Sequence, residues 1–250
     1  MLVKKTAAKA RKRREIEDED IISAMTKNYQ KIDFRFKKRD FKFTPKQKEL
    51  LDILNNPDNK VIIIEGPAGV SKTLCAVYAG LTDLKDDKYE KFIYIRSVIE
   101  SGHKSLGYLP GSLDEKLLMW RAPLDDKINE LVEPKDVHKL AGSDKIEVLP
   151  INYIRGASWR NSYVVFDEFQ NTLLGEAKTL MTRIGEGSKL ILCGDADQAD
   201  IKESGFRTIL DAFKGEDAKK NGIVTFRFSE NDIVRSEIVK FIVKKFKDLE

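Results

Sequence analysis

An apolar strand pattern that stops at a glycine-rich loop constrains the fold of this chain more than any other feature. The β-branched run is Val61-Ile62-Ile63-Ile64, and after Glu65 comes Gly66-Pro67-Ala68-Gly69-Val70-Ser71-Lys72-Thr73. In a phosphate-binding loop, a buried strand leads into backbone N–H groups that wrap phosphates, and a helix begins behind them. The sequence therefore predicts a Walker A loop. Lys72 would reach the β- and γ-phosphates, and the Thr73 hydroxyl would complete a Mg²⁺ shell.

One position departs from the usual pattern G-x-x-x-x-G-K-[ST], because Ser71 stands where the second glycine is expected. A serine brings a Cβ close to the phosphates and tolerates a positive φ poorly. Gly69 still supplies backbone freedom within the loop, and the serine hydroxyl could donate to a phosphate oxygen. We therefore expect the loop to bind phosphate, with Ser71 as the residue that bears on the rate of turnover.

Composition limits what the 250-residue chain can be. Apolar residues make up 41%, which is enough for a sizeable core, and no apolar run approaches the roughly 18–20 residues of a membrane span. The N-terminus has no apolar stretch of the secretory type. With only two cysteines, Cys75 and Cys193, neither a disulfide framework nor a zinc site is expected. These features predict a soluble, cytoplasmic protein.

Positive charge is concentrated at the start of the chain. Residues 1–14 hold seven Lys or Arg and no acid, so that a net charge of +4 leaves −3 for the remainder. Such an arm could contact the phosphates of a nucleic acid without reading its sequence. A solubilising disordered tail would have the same composition. We expect an N-terminal arm at residues 1–30 and a single domain at residues 31–250.

Strands alternate with helices along that domain, which favours a mostly parallel α/β sheet with helices on both faces. Predicted strands are 60–65, 91–96, 146–149, 162–167, 189–193 and 223–228. Predicted helices are 45–54, 72–84, 113–119, 124–132, 174–184, 206–213 and 232–246. Alternating aromatic residues around the turn at 37–40 suggest two short strands, and residues 97–145 have the character of an insertion.

Two further strands end in polar residues that suit phosphoryl transfer. Tyr163-Val164-Val165-Phe166 is followed by Asp167 and Glu168, and a second apolar strand is followed by Gly194-Asp195-Ala196-Asp197-Gln198. In phosphate-loop enzymes the first acid of such a Walker B strand holds Mg²⁺, and the second activates the attacking water. Asp167 therefore fits the metal site and Glu168 the general base. The Gln198 amide could bond both the γ-phosphate and the lytic water.

Two other roles fall on residues outside these strands. Gln47 lies upstream of the loop, where its amide could bond the adenine edge in a bidentate way. Charge that develops in the transition state also calls for an arginine. The sequence offers four candidates for it, namely Arg155, Arg160, Arg183 and Arg235.

Together these residues resemble the PhoH-like family, a group of phosphate-loop ATPases related to superfamily 1 helicases, over about residues 44–240. The most specific stretches are Leu106–Lys116, Ile146–Gly156, Phe166–Thr172, Thr182–Gly185, Gly194–Gln198 and Asp232–Arg235. The resemblance implies a P-loop NTPase fold with a RecA/helicase-like core, Mg²⁺-dependent ATP hydrolysis, and action on RNA or single-stranded DNA. It also implies the adenine role of Gln47 and a γ-phosphate sensor role for Gln198.

The resemblance leads to a complete set of expected site residues. The catalytic residues are Lys72, Glu168 and Gln198, with Arg235 or Arg183 as the arginine. Nucleotide contacts are expected from Gln47, Gly66, Pro67, Ala68, Gly69, Val70, Ser71, Lys72, Thr73 and Leu74, and metal contacts from Thr73 and Asp167. Related helicases use two cores, the second of which supplies an arginine. Because this chain has one core, we expect a homo-oligomeric ring, plausibly a hexamer, in which a neighbouring subunit supplies the arginine.

Two other functions stay open at this point. A slow ATP-dependent switch or scaffold is favoured by Ser71 and opposed by Asp167, Glu168 and Gln198. A small-molecule phosphotransferase would need an acceptor site and lid arginines, and Gly194–Gln198 fits a motor better. Stimulation of hydrolysis by a polynucleotide would separate the helicase-like motor from both.

Overall fold

A computed structural model describes residues 32–37, 42–97, 113–151, 154 and 158–234, together with residues 238, 241 and 245. Ile32–Glu250 belong to one compact unit. The arm predicted at residues 1–30, Arg155 and Arg235 lie outside the described residues. Across the part of the chain that is described, no helix combines the length and apolar character needed to cross a bilayer.

The strands and helices alternate as predicted. The strands are β1 (Val61–Glu65), β2 (Lys91–Arg96), β3 (Ile146–Pro150), β4 (Ser162–Asp167), β5 (Lys189–Gly194) and β6 (Ile223–Arg227). The helices are α1 (Pro45–Asn55), α2 (Lys72–Lys85), α3 (Leu113–Leu131), α4 (Pro134–Ala141), α5 (Leu174–Met181), α6 (Phe206–Ala212) and α7 (Glu216–Lys220). Short 3₁₀ turns cover Phe169–Asn171 and Glu230–Asp232.

The six strands form one sheet in the order β3-β2-β4-β5-β1-β6, and every described pair of strands is parallel. Successive residues of β1 point to opposite faces, so that Ile62 and Ile64 join one apolar cluster and Val61 and Ile63 join another. Helices α1, α2 and α3 cover the first cluster, and α5 and α6 cover the second. The predicted parallel sheet with helices on both faces is therefore confirmed.

This strand order determines where the predicted motifs meet. Strand β5 lies between β1, which leads into the glycine-rich loop, and β4, which ends at Asp167. Because all of these strands are parallel, their carboxyl ends lie at one edge of the sheet. The loop, the paired acids and the segment after β5 therefore share that edge, although they are far apart in the sequence.

Several predicted elements differ from the structure. The predicted break before residue 124 is wrong, because α3 continues through Pro123. Its buried Leu124, Ile128 and Leu131 pack in the core and offset the cost of the missing N–H. The sequence also missed α4 and α7, which are short, and the helix predicted to residue 184 ends at Met181.

The two short strands predicted around residues 37–40 are also not found in the described part of that region. Phe36 makes a single bridge to Val132, and Phe34 is fully buried. The rings of Phe34 and Phe36 lie 5.3 Å apart, edge to face, and Phe36 also contacts the Tyr78 ring. The aromatic alternation therefore reflects packing against α2 and the core, which a pattern alone does not distinguish from strand pairing.

Gly80 of α2 is expected to be essential for packing this helix on the sheet. A Cβ there would lie 2.5 Å from Cε2 of Phe92 and 2.6 Å from Cδ1 of Tyr163, both of which are buried. We expect Gly80→Ala to lower the free energy of unfolding by about 1–3 kcal/mol, because overpacking outweighs the gain in helix propensity. Chemical denaturation measures this change.

Gly175 of α5 provides the matched control, because nothing lies within 4 Å of the Cβ it would acquire. Gly175→Ala should leave the stability unchanged or raise it by up to about 1 kcal/mol. Equal effects of the two substitutions would contradict the packing explanation.

Candidate active site

A cavity of about 430 Å³ opens at the shared edge of the sheet. Its wall contains nine residues predicted for the site, namely Ala68, Gly69, Ser71, Lys72, Thr73, Leu74, Asp167, Glu168 and Gln198. Six polar side chains not assigned to the site from the sequence also line it: Arg96 from β2, Gln170, Asp195, and Asp126, Lys127 and Glu130 from α3. Helix α3, which belongs to the predicted insertion, therefore forms one wall of the site.

The backbone of the glycine-rich loop turns sharply before α2 begins. Gly69 has φ +91°, and Ser71 has φ +68°, in the left-handed region that costs a residue with a Cβ roughly 1–2 kcal/mol. The Ser71 side chain makes no capping hydrogen bond that would offset this cost. Val70 is fully buried and anchors the loop from below. The serine thus adopts the conformation that the sequence pattern reserves for glycine.

Replacing Ser71 by glycine is expected to relieve this strain. Ser71→Gly should raise stability by about 1 kcal/mol, because the left-handed conformation costs glycine little, although glycine is also freer in the unfolded chain. For a domain of this size the melting temperature would rise by about 2–4 °C, which thermal unfolding measures. Ser71→Ala removes the hydroxyl but keeps the Cβ. An equal rise in that variant would show that strain at Ser71 is not the cause.

Lys72 begins α2 with its ammonium folded back over the loop. Its Nζ donates to the carbonyl oxygen of Gly66 and, at 3.0 Å, to that of Pro67. Burial lowers the pKa of Lys72 from its usual value, and the nearby Asp195 carboxylate opposes the shift. The ammonium is therefore partly desolvated and held by loop carbonyls, so that an anion entering the cavity would gain a strong partner.

Asp167 is held through both of its carboxylate oxygens. The Thr73 hydroxyl donates to Oδ1 at 2.6 Å, and the Tyr94 hydroxyl donates to Oδ2 at 2.6 Å. Burial, together with the Asp167 carboxylate, raises the pKa of Tyr94 well above its usual value, so the phenol stays protonated and donates. Thr73 and Asp167 thus bring two oxygen ligands to one point of the cavity, which is the donor chemistry that Mg²⁺ takes.

Glu168 follows β4 with a positive φ of +57°, which turns its side chain toward the cavity. Nε2 of Gln170 donates to Glu168 Oε2 at 2.7 Å, and Nη2 of Arg96 lies 3.8 Å from Glu168 Oε1. Both oxygens of this carboxylate therefore have a neighbouring donor, and its position is determined by two side chains whose roles the sequence analysis did not assign.

Gln170 also connects Glu168 with the segment after β5. Its Oε1 accepts from the backbone N–H of Asp195 at 3.2 Å, and its Nε2 lies 3.5 Å from the backbone oxygen of Gln198. The side chain is buried between these two segments. A displacement of the Gln198 segment would therefore act on the hydrogen bond that positions Glu168.

Gln47 lies behind the loop and is not part of the cavity wall. It is 4% exposed, its Oε1 accepts from the Thr44 N–H at 3.0 Å, and its Nε2 donates to the Val70 carbonyl at 3.2 Å. In this structure the amide thus caps α1 and ties that helix to the loop. Its role in binding adenine stays a prediction, and it would require one of these bonds to be exchanged.

Two of the predicted arginines, Arg160 and Arg183, are among the described residues, and the fold does not bring them to the cavity. The backbone oxygen of Arg183 accepts from the Trp159 N–H at 3.1 Å, just before β4 begins. Arg160 directly follows Trp159 in the sequence. Both therefore lie at the amino ends of the strands, opposite the cavity. Within one copy neither lines the site, so that a catalytic role for Arg183 would have to be in the site of another copy.

Comparison with known proteins agrees with this arrangement. The family described as "PhoH-like protein" matches residues 42–247. A PhoH-like protein of Synechocystis sp. is 33% identical over 206 residues, covering 81% of this chain and 61% of the relative. A PhoH-like protein of Bacillus subtilis is 35% identical over 191 residues, covering 75% and 58%, and Protein PhoH2 of the same organism is 38% identical over 176 residues, covering 66% and 40%.

The chain thus spans between 40% and 61% of the length of these relatives. Among solved structures, the large terminase of a thermophilic bacteriophage matches 81% of this chain and 50% of its own, with a TM-score of 0.51 and 16% identity. That likeness concerns the fold, which is that of a P-loop NTPase with a RecA-like core. With a family match over residues 42–247 and the loop, acids and sheet order in place, this chain belongs to the PhoH-like protein family.

Proposed function

We propose that this chain is a cytoplasmic, Mg²⁺-dependent ATPase whose hydrolysis is coupled to binding or remodelling of RNA or single-stranded DNA. The observation that carries the proposal is the contact between Thr73 and Asp167 at 2.6 Å, in a cavity that Lys72 and Glu168 also line. Phosphoryl transfer needs positioning and charge stabilisation above all, and these four side chains supply both.

The roles follow from what each group can do. Backbone N–H groups of the loop and the Lys72 ammonium would bind the phosphates, and Thr73 and Asp167 would hold Mg²⁺, which neutralises phosphate charge when bound. Glu168 would accept a proton from the water that attacks the γ-phosphorus as the bond to the ADP oxygen breaks. Gln198, at the rim of the cavity, would orient that water and sense the γ-phosphate.

The coupling to nucleic acid rests on the PhoH-like family and on the basic residues 1–14. A positively charged arm attached to an ATPase domain would add affinity for phosphate backbones of either RNA or DNA. We further propose that the chain assembles as a homo-oligomeric, hexameric ring, with residues 1–30 as an arm that contacts the nucleic acid.

ATP hydrolysis measured with Mg²⁺, in the presence and absence of single-stranded RNA and DNA, tests the proposal. Turnover that rises with polynucleotide would support the nucleic-acid-coupled ATPase. Turnover that ignores polynucleotide would overturn the coupling, and failure to bind ATP would overturn the whole proposal. Light scattering at the same protein concentration tests the ring.

A slow ATP-dependent switch or scaffold is the second candidate function. The positive φ of Ser71 favours it, because a strained loop with a Cβ facing the phosphates would bind nucleotide in a less favourable geometry. In that case ATP would bind, hydrolysis would be slow with or without polynucleotide, and Ser71→Gly would accelerate it.

A further inference from the structure

Arg96 is the last residue of β2, and it faces the same cavity as the glycine-rich loop and the paired acids. In the parallel pairing of β2 with β4, Arg96 is directly opposite Asp167. Its side chain is 31% exposed, so that the guanidinium is partly withdrawn from water. A cation is thereby placed beside the Walker B acids by the register of the sheet.

The contacts of Arg96 leave its guanidinium available to a ligand. Its Nη2 lies 3.8 Å from Glu168 Oε1, which is an ion pair but too long for a hydrogen bond. Among the described residues, Glu168 is the only charged side chain that the Arg96 guanidinium pairs with. Arginine carries five N–H donors in a planar fork that matches phosphate oxygens, and it stays protonated at any physiological pH.

The cavity also has a charge requirement that Lys72 and Lys127, the other cations on its described wall, do not meet. Asp167, Glu168 and Asp195 all line it, and a nucleoside triphosphate with its magnesium would add further negative charge. A positioned arginine typically stabilises the transition state of phosphoryl transfer by several orders of magnitude in rate. The described arginines predicted from the sequence, Arg160 and Arg183, lie at the opposite edge of the sheet.

We propose that Arg96 is the catalytic arginine of this site and that it acts in cis, within the copy that carries it. This inference rests on the proposed ATPase function. Without nucleotide, Arg96 pairs with Glu168; when the triphosphate occupies the cavity, the guanidinium donates to oxygens of the terminal phosphate. Each copy would then carry its own arginine, and a ring would not be needed to complete the site.

Arg96→Ala tests the role, with Arg160→Ala as the matched control at the opposite edge of the sheet. We expect Arg96→Ala to lower the rate of hydrolysis by at least 10²-fold. Its affinity for the slowly hydrolysed analogue ATPγS should fall about tenfold while its affinity for ADP stays within about threefold, because only the triphosphate has the terminal phosphate. Arg96→Lys should recover part of the affinity for ATPγS.

Mixing two inactive variants tests whether the arginine acts in cis. Arg96→Ala and Glu168→Gln are combined at equal concentration, and hydrolysis is measured at increasing total protein. If Arg96 acts in cis, every site contains one defect and the mixture stays inactive. Recovered hydrolysis would overturn the cis assignment, because a copy with intact Arg96 would then be completing a site with intact Glu168.

The measurements separate this inference from the proposed function. If the unmodified chain binds ATPγS but does not hydrolyse ATP, the ATPase proposal fails. The ratio of ATPγS to ADP affinities in Arg96→Ala then still shows whether Arg96 contacts the terminal phosphate. If the unmodified chain hydrolyses ATP and Arg96→Ala does so equally fast, only the role of Arg96 is overturned. If the unmodified chain binds neither nucleotide, both are overturned.

Discussion

Glu168→Gln is expected to abolish ATP hydrolysis while leaving ATP binding intact. The substitution preserves the size of the side chain and its ability to accept the hydrogen bond from Gln170 Nε2. It removes the group that can take a proton from the attacking water, which is worth about 10²–10⁴-fold in rate for a general base. Steady-state hydrolysis and equilibrium binding of a fluorescent ATP analogue together measure the two effects.

Glu130→Gln is the matched control for this substitution. Glu130 lines the same cavity from α3 and loses the same charge when it is replaced, so that a purely electrostatic effect on nucleotide would appear in both variants. We expect Glu130→Gln to keep nearly full activity. Residual hydrolysis above one tenth of the unmodified rate in Glu168→Gln would rule out the assignment of Glu168 as the general base.

Lys72→Met is expected to lose both nucleotide affinity and hydrolysis without losing the fold. The methionine keeps an unbranched side chain but removes the ammonium that Gly66 and Pro67 now hold over the loop. We expect the affinity for ATP to fall at least tenfold and hydrolysis to fall by about 10²–10³-fold, because a positioned donor to the phosphates is lost. Isothermal titration and hydrolysis assays measure these losses.

The thermal stability of Lys72→Met distinguishes loss of a ligand contact from loss of structure. Burial lowers the pKa of Lys72, which means that placing its charge in the fold costs free energy. The melting temperature of the variant should therefore match or exceed that of the unmodified chain. Lys214→Met, at an exposed lysine paired with Asp211, controls for the change in net charge. Unchanged ATP affinity in Lys72→Met would contradict the role of the loop.

The elements that the sequence predicted correctly are those specified by residues close together in the chain. The β-branched run of β1 predicts a strand buried on both faces, and the adjacent glycines and Lys72 predict a phosphate-binding loop wherever the chain goes afterwards. The failed predictions were those in which packing outweighed a local signal. Helix α3 continues through Pro123 because its apolar residues are buried, and Phe34 and Phe36 pack on the core without forming a strand.

The partners of the acids depend on tertiary structure alone. Tyr94 and Arg96 reach Asp167 and Glu168 because β2 pairs with β4 in one particular register, and a shift of one residue would turn both side chains to the other face. Gln170 meets Asp195 because β5 lies beside β4.

The class of fold and the identity of the loop and acids follow from local sequence, since strand burial and turn chemistry are encoded within a few residues. Strand order and register decided which polar groups surround the site. They depend on contacts between residues that are distant in the chain, 73 positions apart for Tyr94 and Asp167, and no local pattern specifies such contacts.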